Sequence, residues 1–572
     1  DIETTQVRMV DERILLTVFT IDGKHVYIVP GAHREAPLDL LHNTVGDSFW
    51  ERLWSNQGEY VGHNAKFDQR FLRYHLRWPT KCTFDTMLAH YALDERKGVH
   101  DLKGLGARYF DVPDYEVDLH NYLDSRNDDY GKVPWDVLCR YAAWDAIITW
   151  HLYKTLKEEL VDEGLGEWPF GQLLIPLQST LLEAELSGIK IDYEYTFGLQ
   201  EEWTKIKTEA AAELLALSDG LVTNPNSTQQ LAKYFYQVLK LPRPTGRKMS
   251  PNSTSADAIA HLKGMHSAVD ILLKYRRVAK LLSSYISNIL QFADDSDVVH
   301  CDFMITGTET GRLSIRDPAL QTIPRADEKE EGQYGVRIKN CFVARPGHTL
   351  INVDYNQAEL RVGAALSGEP FLLEAYRTNT DVHAAVAIAM YGQGYSKTQR
   401  MLAKMVNFSY LYGGSEYSLA EVGGIPIETA RGFIREYDRI MTRLRAFKHE
   451  QALLMQRQHY VSTRTGRRRR IPFRSRANFD EAKKAAINMP VQGGASDLTS
   501  LAAIRVAQSI KPLGARLLVL VHDAMLLECP DEVVDTVKEI AVRTMVATGE
   551  EFYPEVPWRA DAEVGKRWGS MH

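Results

Sequence analysis

Four carboxylates and one tyrosine in the first 150 residues have the types and spacing of a metal-dependent hydrolytic site. Asp1 and Glu3 are two residues apart, so both side chains would point to one face of a β-strand. Tyr141 and Asp145 are four residues apart and share a helix face, and Asp68 lies in another helical segment. Carboxylate oxygens are preferred ligands of Mg²⁺ and Mn²⁺, and a pair of such ions can clamp a phosphodiester. The sequence therefore predicts a two-metal site in which the four carboxylates are ligands and the tyrosine orients the attacking water.

A second pair of carboxylates lies in the last 270 residues. Asp354 ends an apolar run that reads as a strand, and Asp523 lies at the polar centre between two β-rich runs. Carboxylates at the ends of adjacent strands can converge on one point. We therefore expect a second site here.

Arg400, Lys404, Phe408 and Tyr412 recur at intervals of four residues. On a helix each step of four drifts by about 40°, so the four side chains stay within a third of the circumference over roughly 18 Å. A core face would not carry the two cations, and a solvated face would not carry the aromatics so regularly. The cations suit phosphates and the rings suit a stacked base, so this face predicts nucleotide binding.

The segments that must position these residues differ in predicted secondary structure along the chain. Residues 1–153 alternate β-rich and helical segments, which indicates an α/β domain. Residues 165–295 are mostly helical. From about residue 300 a strand runs into a helix, residues 376–475 look helical until a hairpin-like segment, and two β-rich runs follow. We predict a multidomain protein of α/β and α+β class.

Composition limits the classes that need consideration. The chain has 572 residues, 44% hydrophobic and 25% charged, and contains no apolar run of 18 residues. These values exclude a mainly disordered chain, a collagen-like repeat and a membrane bundle. Its five cysteines are far apart and predict free thiols in a reducing compartment, and no signal peptide is visible. The net charge of −7 does not by itself indicate nucleic acid, but a total can conceal a local basic cleft.

Three short motifs near the start resemble the tyrosine-containing branch of the DEDD-type 3′–5′ exonucleases. They are DIET at residues 1–4, NAKFD at 64–68 and YAAWD at 141–145, in the family's order. The resemblance implies an RNase H-like 3′–5′ exonuclease domain over residues 1–155.

Five further motifs resemble family A DNA polymerases, the bacterial DNA polymerase I type. They are TGRLSIRDPALQTIPR, DYNQAELR, RMLAKMVNFSYLYGG, AAINMPVQGGASD and VHDA. The resemblance implies a right-hand polymerase with a thumb at 165–300, a palm at 301–375 and 476–572, and fingers at 376–475. It continues to residue 572, so we expect the chain to end where the protein ends.

The resemblance implies roles for the residues of the second site. Asp354 and Asp523 would hold two Mg²⁺ ions, with the Tyr355 carbonyl as a further ligand. Arg400 and Lys404 would bind the incoming triphosphate, and Lys404 would also protonate the leaving pyrophosphate. Both sites are therefore expected to use two Mg²⁺ each, with Mn²⁺ as a substitute.

Further roles concern recognition of the nucleotide. His383 would contact the phosphates, and Phe408 would stack on the sugar and base of the nucleotide. Tyr412 would stack at the template position, and Glu359 would fill the space beside the 2′ carbon and exclude ribonucleotides. Phenylalanine at position 408 further implies discrimination against dideoxynucleotides.

The remaining expected contacts are with DNA. His522 would touch the primer terminus, and Lys484 stands where the family often has arginine. Ala524 stands where the family usually has glutamate, and we expect activity to survive because Asp354 and Asp523 suffice to bridge both ions. The residues expected to line the duplex and its minor groove are Arg312, Gln321, Asn488 and Gln492.

Two basic segments are further candidates for DNA contact. RKMS at 247–250 and LKYRRVAK at 273–280 fit a thumb that touches the duplex backbone. The densest run fits a hairpin that contacts phosphates, with a solvated face as the alternative, and comprises Arg464, Arg467, Arg468, Arg469, Arg470, Arg474 and Arg476.

These features together predict template-directed DNA synthesis with 3′–5′ proofreading. The expected partners are primer–template DNA and dNTPs, with no membrane, a monomeric state, and a processivity clamp or helicase left open. A bacterial or phage-infected cytoplasm fits, with a phage source favoured by the compact chain and an organelle matrix as the alternative. The rival readings are an exonuclease or DNA-binding subunit with an impaired polymerase half, motivated by Ala524, and an RNA polymerase or reverse transcriptase on the same scaffold.

Overall fold

The computed structural model describes residues 1–10, 12–41, 47–125, 128–244, 250–324, 330–472 and 478–571. Arg474, Arg476 and most of the RKMS segment lie outside these residues. The chain divides into two compact units. The first comprises Asp1–Ser187, Phe303–Ser314 and Gly347–Val564, and the second comprises Gly188–Asp302, Ile315–Pro346 and Gly565–His572. Within the described part of the chain, we find no helix with the length and apolar character needed to cross a membrane.

Most strands are short. The strands are β1 (Ile2–Thr4), β2 (Ile14–Thr20), β3 (Val26–Pro30), β4 (Val61–Gly62), β5 (Phe84–Asp85), β6 (Ile189–Lys190), β7 (Val298–Val299), β8 (Asp302–Met304), β9 (Ser314–Arg316), β10 (His348–Tyr355), β11 (Tyr460–Ser462), β12 (Arg468–Arg470), β13 (Arg516–Val521), β14 (Ala524–Pro530) and β15 (Ala560–Gly565). The strands next to Asp354 and Asp523, which are β10, β13 and β14, are among the longest.

Helices make up most of the structure. They are α1 (Asp47–Ser55), α2 (Ala65–Leu76), α3 (Thr86–Leu93), α4 (Leu102–Phe110), α5 (Trp135–Asp162), α6 (Ile175–Ser187), α7 (Tyr193–Leu217), α8 (Thr228–Ala232), α9 (Ala256–Ala260), α10 (Ser267–Leu281), α11 (Ser287–Phe292), α12 (Glu330–Lys339), α13 (Ala358–Ser367), α14 (Pro370–Arg377), α15 (Val382–Tyr391), α16 (Lys397–Leu411), α17 (Glu416–Gly423), α18 (Ile427–Ile440), α19 (Thr442–Gln458), α20 (Phe479–Ile510) and α21 (Val534–Phe552).

An antiparallel sheet of order β1-β2-β3 opens the first unit. The turn between β2 and β3 forms at Asp22-Gly23, where the Asp22 carboxylate accepts two backbone N–H groups and Gly23 has a φ of 71°. Leu16 and Val18 of β2 are fully buried and pack against α5. The predicted alternation of strands and helices is therefore confirmed, and it places the end of β1 beside the helix that carries Asp145.

A four-stranded sheet of order β13-β14-β10-β15 lies in the same unit. Strands β10 and β14 are antiparallel, with His348 opposite Pro530 and Asp354 opposite Ala524. Helices α20 and α21 pack on the sheet. The two β-rich runs predicted around residues 522 and 523 are β13 and β14, so this prediction is also confirmed.

The second unit is mainly helical, as the amphipathic segments predict. Helices α7 and α10 pack against each other. Its core contains Leu214 from α7 and Leu272 from α10, together with the fully buried Phe235. Apolar side chains that recur at helical spacing thus form one continuous core here.

Candidate active sites

The end of β1 brings the predicted carboxylates of the first site together. One oxygen atom each from Asp1, Glu3 and Asp145 lies within 4.8 Å of the others. Asp68 lies in the first turn of α2, and its Oδ1 accepts the backbone N–H of Ile2 at 2.9 Å, which holds this carboxylate against the same strand. A strand and two helices distant in sequence thus converge on one cluster of hard oxygen donors.

Several carboxylates are buried close together in this cluster, and burial disfavours their charged forms. Burial, followed by the charge of Asp145, raises the pKa of Glu3 well above its ordinary value. Burial also raises the pKa of Asp68 to about 6. A divalent cation would remove the repulsion and the desolvation cost together, so the donor set fits Mg²⁺ or Mn²⁺.

Two residues that the sequence did not single out complete this site. The Lys103 Nζ lies 2.5 Å from the Tyr141 hydroxyl oxygen and 3.3 Å from Asp145 Oδ2. The Tyr115 hydroxyl donates a hydrogen bond to the other oxygen of Asp145. Burial raises the pKa of Tyr141, so its phenol is neutral. A sequence signal existed for the lysine, because a cation in the first turn of α4 opposes the helix dipole and needs a local anion.

The second pair of carboxylates is set by strand register. Asp354 of β10 is opposite Ala524, and Asp523 is in the two-residue turn that precedes Ala524. The backbone N–H of Tyr355 donates to the Asp523 carbonyl at 3.3 Å, which joins the strand end to that turn. The Tyr355 side chain is buried and its hydroxyl donates to Met545, so a ligand from this residue would have to be its carbonyl. His522 has a φ of 58° and is exposed in the turn.

In the stripe at four-residue intervals, Arg400, Lys404 and Phe408 lie on α16, as the spacing predicts, and Tyr412 is the residue that caps its C-terminal end. Lys404 is exposed, and Arg400, Phe408 and Tyr412 are half-buried. The rings of Phe408 and Tyr412 are stacked with centroids 6.3 Å apart, and the His383 ring of α15 lies 5.7 Å from Phe408. The opposite face of the helix is buried and comprises Ala403, Val406, Asn407, Tyr410 and Leu411.

Arg400 has a partner that the sequence analysis did not identify. Its guanidinium donates to Asp381, the residue that caps α15 by accepting the N–H groups of His383 and Ala384. Burial alone would raise the pKa of Asp381, but the hydrogen bond from Arg400 and the capping N–H groups lower it overall. One carboxylate therefore fixes both the start of the histidine helix and the position of the arginine.

Glu359 links the stripe to another predicted residue. It lies in the first turn of α13 and accepts hydrogen bonds from the Tyr412 hydroxyl and the Arg312 guanidinium. Tyr412, Glu359 and Arg312 are therefore in direct contact. They are, in that order, the residue expected to stack at the template, the residue expected to exclude ribonucleotides and one of the expected DNA contacts.

The other expected DNA contacts lie on two elements. Lys484, Asn488 and Gln492 follow one face of α20, with the lysine exposed and Asn488 Nδ2 3.5 Å from Gln492 Oε1. Gln321 is in the second unit, where its Oε1 accepts the backbone N–H of Ile315 at 2.5 Å.

The arginine-rich hairpin is present as β11 and β12, but its arginines face carboxylates. Arg467 and Asp497 form a buried ion pair with an Nε–Oδ1 distance of 2.7 Å. The other pairs of described residues are Arg464 with Glu555, Arg468 with Glu163, Arg469 with Glu309 and Arg470 with Glu95. Much of the positive charge that suggested phosphate binding is thus neutralised within the chain.

Comparisons with known proteins identify two successive domains in the chain. Residues 194–570 match the family described as DNA polymerase family A, and residues 1–161 match a 3′–5′ exonuclease domain. DNA polymerase I of Borreliella burgdorferi is 31% identical over 91% of this chain and 57% of its own length. The thermostable DNA polymerase I of Thermus thermophilus is 33% identical over 84% of this chain and 60% of its own length. The chain thus spans somewhat more than half the length of these relatives.

A solved structure is similar over the entire chain. It is the polymerase domain of Pol1 from M. smegmatis in complex with DNA primer-template and dNTP. The TM-score is 0.82 at 25% sequence identity, and the match covers 100% of this chain and 96% of the other.

Proposed function

The chain belongs to DNA polymerase family A, and on this basis we propose that it extends a primer on a DNA template and removes 3′-terminal nucleotides by proofreading. It consists of a 3′–5′ exonuclease domain followed by a family A polymerase domain. The observation that carries the polymerase half is the strand register that places Asp354 beside the turn holding Asp523. The clustered oxygens of Asp1, Glu3 and Asp145 carry the exonuclease half.

The proposed subdomains follow the changes in secondary structure. Residues 1–155 form the exonuclease domain, 165–300 the thumb, 301–375 and 476–572 the palm, and 376–475 the fingers. The palm then contains the four-stranded sheet, and the fingers contain α15 and α16. The proposed substrates are primer–template DNA and dNTPs, in a bacterial or phage-infected cytoplasm.

In the polymerase site, Asp354, Asp523 and the carbonyl of Tyr355 would hold two Mg²⁺. When bound, such a pair of ions would lower the pKa of the primer 3′-hydroxyl and neutralise charge on the transferred phosphate. The buried Tyr355 side chain anchors the strand end, since its hydroxyl bonds to the carbonyl of Met545. The protein's contribution at this point is a fixed backbone that keeps both carboxylates in place.

The nucleotide would bind along the exposed face of α16. Arg400, Lys404 and His383 would contact its phosphates, with Lys404 giving a proton to the leaving pyrophosphate. Phe408 would stack on the sugar and base, and Tyr412 would stack at the template position. Glu359 would exclude a 2′-hydroxyl, since its carboxylate is held by hydrogen bonds and cannot easily move away.

Contacts with DNA would come from α20 and the neighbouring segments. Lys484 is exposed on this helix and suits the phosphate backbone. Side chains that reach the minor groove would report pairing geometry more than sequence, since the groove presents similar acceptors for each pair. The proposed contacts are Arg312, Gln321, Lys484, Asn488, Gln492 and His522.

In the exonuclease site, Asp1, Glu3, Asp68 and Asp145 would hold the ions. Mg²⁺ bound there supplies a nucleophilic water and neutralises the scissile phosphate. The Tyr141 hydroxyl would orient that water, because Lys103 donates to its oxygen and leaves its own proton available. Tyr115 would hold Asp145 in place through its hydrogen bond.

Primer extension tests both activities. A primer labelled at its 5′ end is annealed to a longer template and incubated with Mg²⁺, with and without dNTPs. Longer products with dNTPs and shorter products without them are expected. Asp354→Ala should abolish extension and keep shortening, and Asp145→Ala should do the reverse, so each variant is the control for the other.

The rival functions predict different gels. Shortening in both lanes would refute synthesis and identify an exonuclease whose polymerase half is inactive. A primer that shifts on a native gel but changes length under no condition would leave a DNA-binding subunit. Extension of a DNA primer with ribonucleotides as efficiently as with dNTPs would refute the role of Glu359.

A further inference from the structure

Asn407 is a buried amide next to the proposed nucleotide site. It precedes Phe408 on α16, is fully buried, and its Nδ2 lies 2.8 Å from Nδ1 of His383 on α15. Its own Oδ1 is buried and has no hydrogen-bond partner among the described residues. An apolar side chain of similar size would fill this position without leaving a polar atom unsatisfied. A buried amide at this position therefore costs stability. What it contributes in return is the hydrogen bond to His383.

The contact decides where the histidine proton lies. A neutral imidazole has one N–H donor and one acceptor nitrogen. Because the Asn407 amide donates to Nδ1, the proton of His383 must be on Nε2. Nε2 has no hydrogen bond to a described residue, so this N–H is available to a ligand.

The charges around His383 favour a neutral ring. His383 is 4% exposed, and burial lowers its pKa to about 4. Asp381 opposes this shift, whereas Lys404 and Arg400 add to it. The ring is therefore a neutral hydrogen-bond donor at pH 7 and does not add a third positive charge beside Arg400 and Lys404.

We propose that Asn407 is a positioning residue for nucleotide binding: by donating to Nδ1 it fixes His383 as an Nε2–H donor to a phosphate oxygen of the incoming dNTP. This inference rests on the proposed function, because the His383–phosphate contact belongs to that proposal. The opposite tautomer would present a lone pair to the phosphate and repel it. Asn407 thus acts through His383 and touches no substrate atom itself.

The tautomer can be measured without DNA or nucleotide. In protein labelled with ¹⁵N-histidine, two-bond ¹H–¹⁵N spectra distinguish Nε2–H from Nδ1–H, and a His383→Gln sample assigns the signal. At pH 7 we expect His383 with its proton on Nε2. In Asn407→Leu, which keeps the branching at Cγ, adds some volume and loses the donor, we expect a mixture of tautomers. In Asn407→Asp, whose carboxylate accepts a proton, we expect the proton on Nδ1.

Steady-state extension then tests the consequence. Asn407→Asp should raise the KM for dNTP about tenfold, the worth of one hydrogen bond to a charged group, with kcat changed much less. Asn407→Leu should raise the KM less, by the inverse of the fraction of His383 that keeps its proton on Nε2. Unchanged thermal melting would show that each variant is folded. Wild-type His383 with its proton on Nδ1 would overturn the inference, as would variants that lose the Nε2–H tautomer and keep the wild-type KM. A wild-type protein that extends no primer would refute the proposed function, and with it the nucleotide part of this inference, whatever the tautomer.

Discussion

Asp68→Asn should stabilise the metal-free protein at high pH and have no effect at low pH. Asp68 is 9% exposed, and burial raises its pKa from an ordinary 3.8 to about 6. The folded state binds this proton more tightly than the unfolded state, so protonation of Asp68 adds to the free energy of unfolding. That contribution is fully present below about pH 4 and is lost as the pH rises through 6. A shift of roughly two pKa units corresponds to about 3 kcal/mol at pH 8.

Asparagine is the informative replacement, because it keeps the oxygen that accepts the Ile2 N–H and removes only the charge. We expect the thermal transition of the first unit of Asp68→Asn, followed by circular dichroism in EDTA, to lie roughly 3–4 °C above that of the wild type at pH 8, the size of shift for a unit of about 400 residues. At pH 4 the two transitions should coincide. With excess Mg²⁺ the wild type should gain more than the variant, since the ion then offsets the same repulsion.

The control is Asp162→Asn, which removes an exposed carboxylate from the last residue of α5. It should shift the transition by much less than Asp68→Asn does at pH 8, since removing an exposed charge at a helix C-terminus contributes under about 1 kcal/mol. A stabilisation by Asp68→Asn that is equal at pH 4 and pH 8 would show that charge is not its cause. A lower transition temperature at pH 8 in EDTA would refute the electrostatic reasoning for this site.

Four further substitutions have defined outcomes. Lys103→Met should lower the exonuclease kcat roughly 10–100-fold, the worth of a charged hydrogen bond, while primer extension by the same preparation stays unchanged. Asp381→Asn keeps an N-cap acceptor but frees Arg400 from a half-exposed ion pair. The KM for dNTP in steady-state extension should therefore fall, by at most about fivefold. A rise in this KM would contradict the idea that Asp381 competes with the nucleotide phosphates for Arg400. Phe408→Tyr should raise dideoxynucleotide termination on a sequencing gel, and an unchanged ladder would count against the assigned role of this helix. Ala524→Glu should alter extension only modestly, and a change from no extension to robust extension would show that the missing carboxylate is essential.

Local spacing was sufficient to predict the elements that carry most site residues. The four-residue repeat from Arg400 to Tyr412 predicted α16 and its exposed face, because periodicity is a property of adjacent turns. Asp354 and Asp523 were predicted at the ends of strands, and the strands are paired as expected. Whether these residues perform the roles that the family implies remains a prediction.

Partners remote in sequence could not be predicted in the same way. Lys103 is 38 residues from Tyr141, and no periodic pattern joins them. Asp381 and Arg400 are 19 residues apart, and no pattern in the sequence joins them either. Such pairs depend on how helices pack, which the sequence specifies only through the complete fold.

The arginine-rich run also shows that partners remote in sequence cannot be predicted from local pattern. The run at 464–470 is the most basic in the chain, yet Arg470 pairs with Glu95, which is 375 residues away in sequence. The acidic excess of the chain is thus partly used to neutralise its densest basic segment. By contrast, Lys404 and Lys484 are exposed and form no ion pair with a described residue. Positive charge is therefore available to phosphates on the faces of α16 and α20, where helical spacing pointed, and a protein with a net charge of −7 can still offer a local surface for nucleic acid.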